Sequence, residues 1–158
     1  MLRRVLLLSI ILCAGCATRP LAPAPDAASA GSGARVAAHA LEEIGRRYRF
    51  GGDSRGGFDC SGLASYVHAR EGFVIPRTAA AQFAAGSPVA REALRAGDLL
   101  FFRIGGAAVD HVAVYVGNGE FVHAPGAGNR VRLVRIDSPW FAQRYAGAAR
   151  WWRERVAQ

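Results

Sequence analysis

Residues 59–72 read DCSGLASYVHAREG, and this stretch organises everything around it. Asp59 is a helix N-cap residue by type, since its carboxylate can accept from a backbone N–H two or three residues on. The spacing predicts a helix from about Cys60 to Glu71, stopped by Gly72. Cys60 then lies in the first turn, where unpaired N–H groups and the helix dipole favour an anion. A thiol so placed is expected below its free value of about 8.5, in the range of roughly 3.5 to 7.5. Upstream, Val36, Ala37, Ala40, Leu41 and Ile44 recur at helical spacing between Ala34 and Arg47, so a first helix is expected to pack that stripe on the core. A second short helix is expected from near Thr78 to before Gly86. Downstream the period changes. DLLFFR (Asp98–Arg103), Val109–Val116 and Glu120–Ala124 are β-rich runs broken by Gly and Asn, with further strands at Arg130–Arg135 and Tyr145–Trp152. Helices before strands imply an α+β class with an antiparallel sheet.

The N-terminus bears on the compartment. Arg3 and Arg4, the apolar run Val5–Leu12 and the small residues Ala14 and Gly15 before Cys16 have the form of a secretory signal peptide over residues 1–15. The run is shorter than the ~20 residues that span a bilayer. Cys16 ends a CAGC string similar to a bacterial lipobox, with Cys13 standing where leucine is usual. Cys16 is therefore expected to carry lipid, with residues 16–33, rich in Ala, Pro, Ser and Gly, as a flexible tether and residues 34–158 as the folded domain. Of three cysteines, this leaves Cys60 alone in an oxidising compartment, which favours a reactive role over an inert one. The formal charge is +8, carried by arginine without a single lysine, and falls to +6 once Arg3 and Arg4 leave. Such a surface fits an anionic polymer or lipid headgroups. The arginines are scattered with no recognition motif, which argues against nucleic acid.

A nucleophilic cysteine needs a base and a group that orients it. His39 and His68 sit on expected helices and read as structural or surface groups. His111 and His123 lie on expected strands, in DHVAVYVG and FVHAP. They share a sheet face only if the paired residue numbers of the hairpin have an even sum. A two-residue Asn118-Gly119 turn would pair Gly117 with Glu120 and send the rings to opposite faces. A three-residue loop, Gly117-Asn118-Gly119, pairs Val116 with Glu120 and sets Ala113 opposite His123, with His111 as the diagonal neighbour. The three-residue loop is the expectation.

DCSGL (Asp59–Leu63), DHVAVYVG (Asp110–Gly117) and FVHAP (Phe121–Pro125) together resemble the NlpC-type cell-wall cysteine peptidases, and the resemblance runs from YRFGG at Tyr48 to the last strand. It implies a papain-like α+β core with N-terminal helices packed on an antiparallel sheet. It implies Cys60 as nucleophile, His111 as base and His123 as the residue that orients it, with Tyr48 aiding the oxyanion or substrate. Asp59, Ser61 and Arg77, the last in a PRTAAAQ segment similar to one near the family's cleft, are candidate substrate contacts. Phe50 and Ala96 depart from the family's more common aromatic and proline, outside the catalytic roles. The expected activity is hydrolysis of an amide in peptidoglycan stem peptides through a thioester, with no cofactor or metal, by a monomer held to a membrane. A non-catalytic wall-binding lipoprotein, an acyl transferase or transpeptidase, and a zinc site of Cys60, His111 and His123 are the rivals. Ala17 after the lipidated cysteine favours the outer membrane by resemblance to bacterial lipoproteins.

Overall fold

The computed structural model describes residues 31–153, so the expected signal peptide, Cys16 and most of the tether lie outside the described residues. Helix α1 (Ser32–Glu42) begins two residues earlier than expected, with Ser32 and Gly33 already buried. The reason is contact: a Cβ on Gly33 would lie 2.4 Å from the Ala96 carbonyl oxygen and 2.5 Å from the Trp152 ring. The domain edge therefore reaches back from Ala34 into what composition alone marks as tether. Val36, Ala37 and Ala40 face the core as expected. Leu41 and Ile44 do not: they are 43% and 44% exposed, because the helix ends at Glu42 and its stripe is narrower than the pattern suggested.

The glycine-dense segment after α1 holds a small hairpin, β1 (Asp53–Ser54) with β2 (Gly57–Phe58). Helix α2 (Cys60–Ala69) follows at once, then α3 (Ala79–Ala85) capped by the Thr78 hydroxyl, close to expectation. Strands β3 (Ser87–Val89), β4 (Leu99–Phe102), β5 (His111–Gly117), β6 (Glu120–His123), β7 (Arg132–Arg135) and β8 (Tyr145–Arg150) form one antiparallel sheet in the order β3-β8-β4-β5-β6-β7. β3 and the short helix α4 (Pro139–Ala142) were not anticipated. Both are too short for periodicity to register.

β4 is buried along its whole length because the sheet is covered on both faces. Leu99 and Phe101 join Val36, Leu63, Ala64, Val112 and Val122 on the helical face, while Leu100 and Phe102 meet Phe121, Ile136 and Phe141 on the other. That is why LLFF runs apolar without alternation. Full burial of each such side chain stabilises by roughly 1.5 to 3 kcal/mol. α2 packs on this sheet against β5, and its first residue, Cys60, meets the Val112 N–H of that strand.

The β5–β6 hairpin corrects the expected loop. The turn is the tight two-residue one after all: Gly117 pairs with Glu120, and Asn118 and Gly119 take positive φ of 54° and 75°. One step on, Tyr115 pairs with Phe121 and Val114 with Val122, leaving Val116 as a bulge. The extra residue restores the even register, so the two histidines share a face for a reason other than the one anticipated.

Candidate active site

Asp59 is the N-cap of α2, its Oδ1 accepting from Gly62 N at 2.6 Å. The same carboxylate is gripped by Arg77, whose Nη1 and Nη2 donate to Oδ1 and Oδ2 at 3.0 and 2.7 Å. Burial pushes the Asp59 carboxyl up, but Arg77, Gly62 N–H and Ser61 together hold it below its ordinary value. Ser61 donates its hydroxyl to Asp59 at 3.2 Å and accepts from Arg77 at 3.0 Å. Gln82, fully buried, locks the first turn of α2 from behind by donating to the Ser61 carbonyl at 3.1 Å and to Pro76 O at 2.7 Å. The start of α2 is thus fixed by charge-assisted bonds on one side and an amide on the other.

Cys60 follows this cap and lies in a cleft of about 540 Å³, whose lining includes Tyr48, Phe50, Asp59, Ser61, Arg77 and Asp110. Every substrate-side residue named from the sequence is therefore at the cleft. Cys60 is a free thiol. Burial raises its pKa above the ordinary thiol value, and the Asp59 charge adds to the rise. Backbone N–H groups of Val112, Ser61 and Cys60 itself pull the other way without prevailing. The expected acidic thiol is overturned: the helix N-terminus is there, but the desolvation that comes with packing α2 on the sheet outweighs it. Tyr48 responds likewise, raised first by burial and then by the Cys60 and Asp59 charges close to it.

The Val112 N–H that reaches Cys60 belongs to the residue that follows His111 at the start of β5, so the thiol lies against the strand end that carries that histidine. His111 Nε2 and His123 Nδ1 are 2.9 Å apart, with the rings at 90° and both nearly fully buried. Burial lowers His111 from 6.5 to about 4, with Asp110 opposing, and lowers His123 to about 3, helped by His111 and Arg132. Both rings are neutral at pH 7. The other two histidines keep the bland roles expected of them. His68 is buried with Nδ1 2.8 Å from Ala64 O, and His39 meets Glu71 at 3.1 Å.

Two residues at the site escaped the sequence reading. Asp110 accepts from Ile104 N and Gly105 N at 2.7 and 2.6 Å, shaping the loop that borders the cleft. Arg132 sits opposite His123 on β7. Asp110 had a signal in its place before a strand histidine, whereas Arg132 is one arginine among many.

Comparison with known proteins converges on this geometry. The NlpC/P60 family pattern matches residues 45–150, which contain the cleft, the thiol and both histidines. The chain belongs to the NlpC/P60 family. It is 41% identical over 115 residues to murein DD-endopeptidase MepH of Escherichia coli K12, covering 70% of this chain and 42% of that protein. It is 38% identical over 110 residues to a gamma-D-glutamyl-L-lysine dipeptidyl-peptidase of Bacillus cereus, covering 68% and 33%. The chain therefore spans less than half the length of these two relatives. Among solved structures, an NlpC/P60 family protein from Bacillus cereus superposes with a TM-score of 0.72 at 35% identity, over 75% of this chain and 40% of that one. The NlpC/P60 domain of the peptidoglycan hydrolase SagA matches with a TM-score of 0.65 at 36% identity, over 75% of this chain and 97% of its own. The NlpC/P60 fold is thus the papain-like α+β fold expected, and the residues quoted for the resemblance all fall in the matched segment.

Proposed function

We propose that this NlpC/P60 protein is a peptidoglycan endopeptidase that cuts an amide bond of stem peptides or cross-links through a Cys60 thioester. The observation that carries the reading is a free cysteine at the capped start of a helix, in an open cleft, against a strand whose histidine is paired with a second buried histidine. The family match and relatives whose names specify murein and gamma-D-glutamyl bonds support the substrate class.

In this reading the thiol enters the reaction protonated, since burial raises it and both imidazoles are neutral. His111 takes the thiol proton as sulfur attacks the amide carbonyl, acting as general base during attack rather than as half of a preformed ion pair. The Cys60 N–H and Tyr48 face the developing oxyanion. The proton then passes from His111 to the leaving nitrogen, the C–N bond breaks, and a thioester remains on Cys60. Water, deprotonated by His111, hydrolyses it to a carboxylate and returns the thiol. His123 holds the His111 ring in place. Asp59, Ser61 and Arg77 form the polar end of the cleft where substrate is held.

Cys60→Ser is expected to abolish release of muropeptides from purified sacculi while leaving the far-ultraviolet circular dichroism unchanged. Wild-type release by the variant overturns the assignment, and mass spectrometry of the wild-type products identifies the bond. The protein acts as a monomer tethered by lipid on Cys16 to the periplasmic face of the outer membrane. Its lipobox-like string and the Ala17 that follows support this placement. Metabolic labelling with an alkyne fatty acid should mark the wild type and not Cys16→Ala; equal labelling of both removes the anchor.

A further inference from the structure

Arg132 has no task in the reaction as written, yet it touches the residue that orients the base. Its Nε lies 3.5 Å from His123 Nε2. A guanidinium N–H only donates, so His123 Nε2 accepts, and a neutral His123 then carries its single proton on Nδ1. That Nδ1 is 2.9 Å from His111 Nε2, which must accept in turn. The proton of neutral His111 is thereby assigned to Nδ1, the ring nitrogen that the proposed reaction leaves for the thiol. In this arrangement His111 offers Cys60 no lone pair. To take the thiol proton the pair must exchange tautomers, with His111 Nε2–H donating to His123 Nδ1 and His123 protonated on Nε2. That proton would point at the Arg132 N–H, donor against donor.

A second cavity, of about 470 Å³, adjoins this contact, and His123, Arg132, Ser138 and Trp140 are among its lining. It is separate from the Cys60 cleft: the loop between β4 and β5 contributes Ile104 to one and Val109 and Asp110 to the other. The Ser138 hydroxyl oxygen is buried there without a hydrogen-bond partner among the described residues. A guanidinium and an unspent hydroxyl lining one cavity are suited to a carboxylate, which accepts from both.

We propose that Arg132 is a positioning residue that holds the histidine pair in the resting tautomer, and that a carboxylate entering the second cavity releases the pair by taking over the Arg132 N–H. The inference rests on the peptidase reading for its purpose, since stem peptides present free carboxylates, but its physical content does not depend on turnover.

The test is the ring-nitrogen NMR spectrum of the ¹⁵N-labelled full chain in detergent at pH 7. In the wild type, His123 Nε2 should resonate as an unprotonated nitrogen and Nδ1 as a protonated one. Arg132→Met should move both shifts toward the opposite assignment, and Arg132→Lys should return them toward the wild type. Acetate should shift the wild-type rings in the same direction as Arg132→Met, chloride at equal ionic strength should not, and the Met variant should not respond to either. Identical ring shifts in wild type and Arg132→Met, with dispersed amide spectra showing both folded, overturn the proposal. An acetate response no larger than that of chloride overturns its carboxylate half. Should the rings respond as expected in a protein that releases no muropeptide, the peptidase reading falls and the tautomer control stands.

Discussion

The two halves of the proposed catalytic group are held by opposite kinds of chemistry. On the thiol side, the start of α2 is pinned by ionised groups: Asp59 takes the Gly62 N–H, the Ser61 hydroxyl and both arms of Arg77. On the base side, His111 and His123 are buried and uncharged, joined by one bond of 2.9 Å, with Arg132 at the outer limit of contact. A charged clamp at a half-exposed helix end fixes position, because each added bond narrows the geometry. A buried neutral pair leaves proton location open, because two tautomers differ only by where hydrogens sit. The proposed attack by a protonated thiol needs both: a sulfur that does not wander and a base that can change its proton.

Acid separates the halves most widely. His68, His111 and His123 are depressed in the folded state, so above pH 6.5 they add nothing to the pH dependence. As pH falls below 6.5 the unfolded chain takes up protons that the folded chain refuses, and stability drops until the folded values near 4 for His68 and His111 and near 3 for His123 are reached. For His68, whose ring stands apart from the pair, this amounts to roughly 3 kcal/mol. Asp59 has the carboxylate pattern, held below its ordinary value, so its contribution is intact above about pH 4 and is lost only as pH falls through its folded value. Urea midpoints should therefore decline steadily from pH 6.5 to 4 in the wild type. They should decline by a smaller amount over the same pH range in His68→Gln, which lacks one of the three depressed imidazoles. A midpoint flat from pH 6.5 to 4 would show that the imidazoles are not buried as neutral rings.

The clamp is next in size. Asp59→Ala removes the N-cap and leaves Arg77 without its carboxylate, for an expected loss of about 1 to 2 kcal/mol in urea unfolding at pH 7. Asp59→Asn keeps an acceptor for Gly62 N–H and surrenders the ion pair, so it should cost less than half as much. Equal losses in the two variants would mean that Arg77, not the cap, holds the helix start.

Much of this site was open to reading before any coordinates. The cap–thiol–helix order in residues 59–72 and the even-register requirement for His111 and His123 both follow from local rules, and both hold. What escaped depends on packing that local rules do not see. The thiol is raised because α2 is pressed on the sheet, so burial outweighs the helix terminus that the sequence advertises. Leu41 and Ile44 carry the right spacing and still face solvent, because Leu41 lies off the buried stripe of α1 and Ile44 lies past its end. Arg132 is invisible because its meaning comes from a cross-strand partner nine residues away.

The bulge at Val116 gives the mildest test. Val116 is the residue that the β5–β6 register skips, and the pairs on either side of it, Tyr115 with Phe121 and Gly117 with Glu120, would follow each other without a break if it were removed. Deleting Val116 should therefore keep the Asn118-Gly119 turn, keep Ala113 opposite His123, and keep both imidazoles on one face. The cost is the packing of a partly buried valine, about 1 kcal/mol by area, with kcat/KM for muropeptide release within about threefold of the wild type, equivalent to less than 1 kcal/mol. A loss of a hundredfold or more would mean that the bulge aims His111 through local twist, a task that register alone does not perform. Inserting an alanine after Val116 instead gives the chain a choice between a double bulge and a one-step slip. The slip carries His111 away from His123, so activity in the insertion should fall far below that of the deletion although both change the hairpin by one residue.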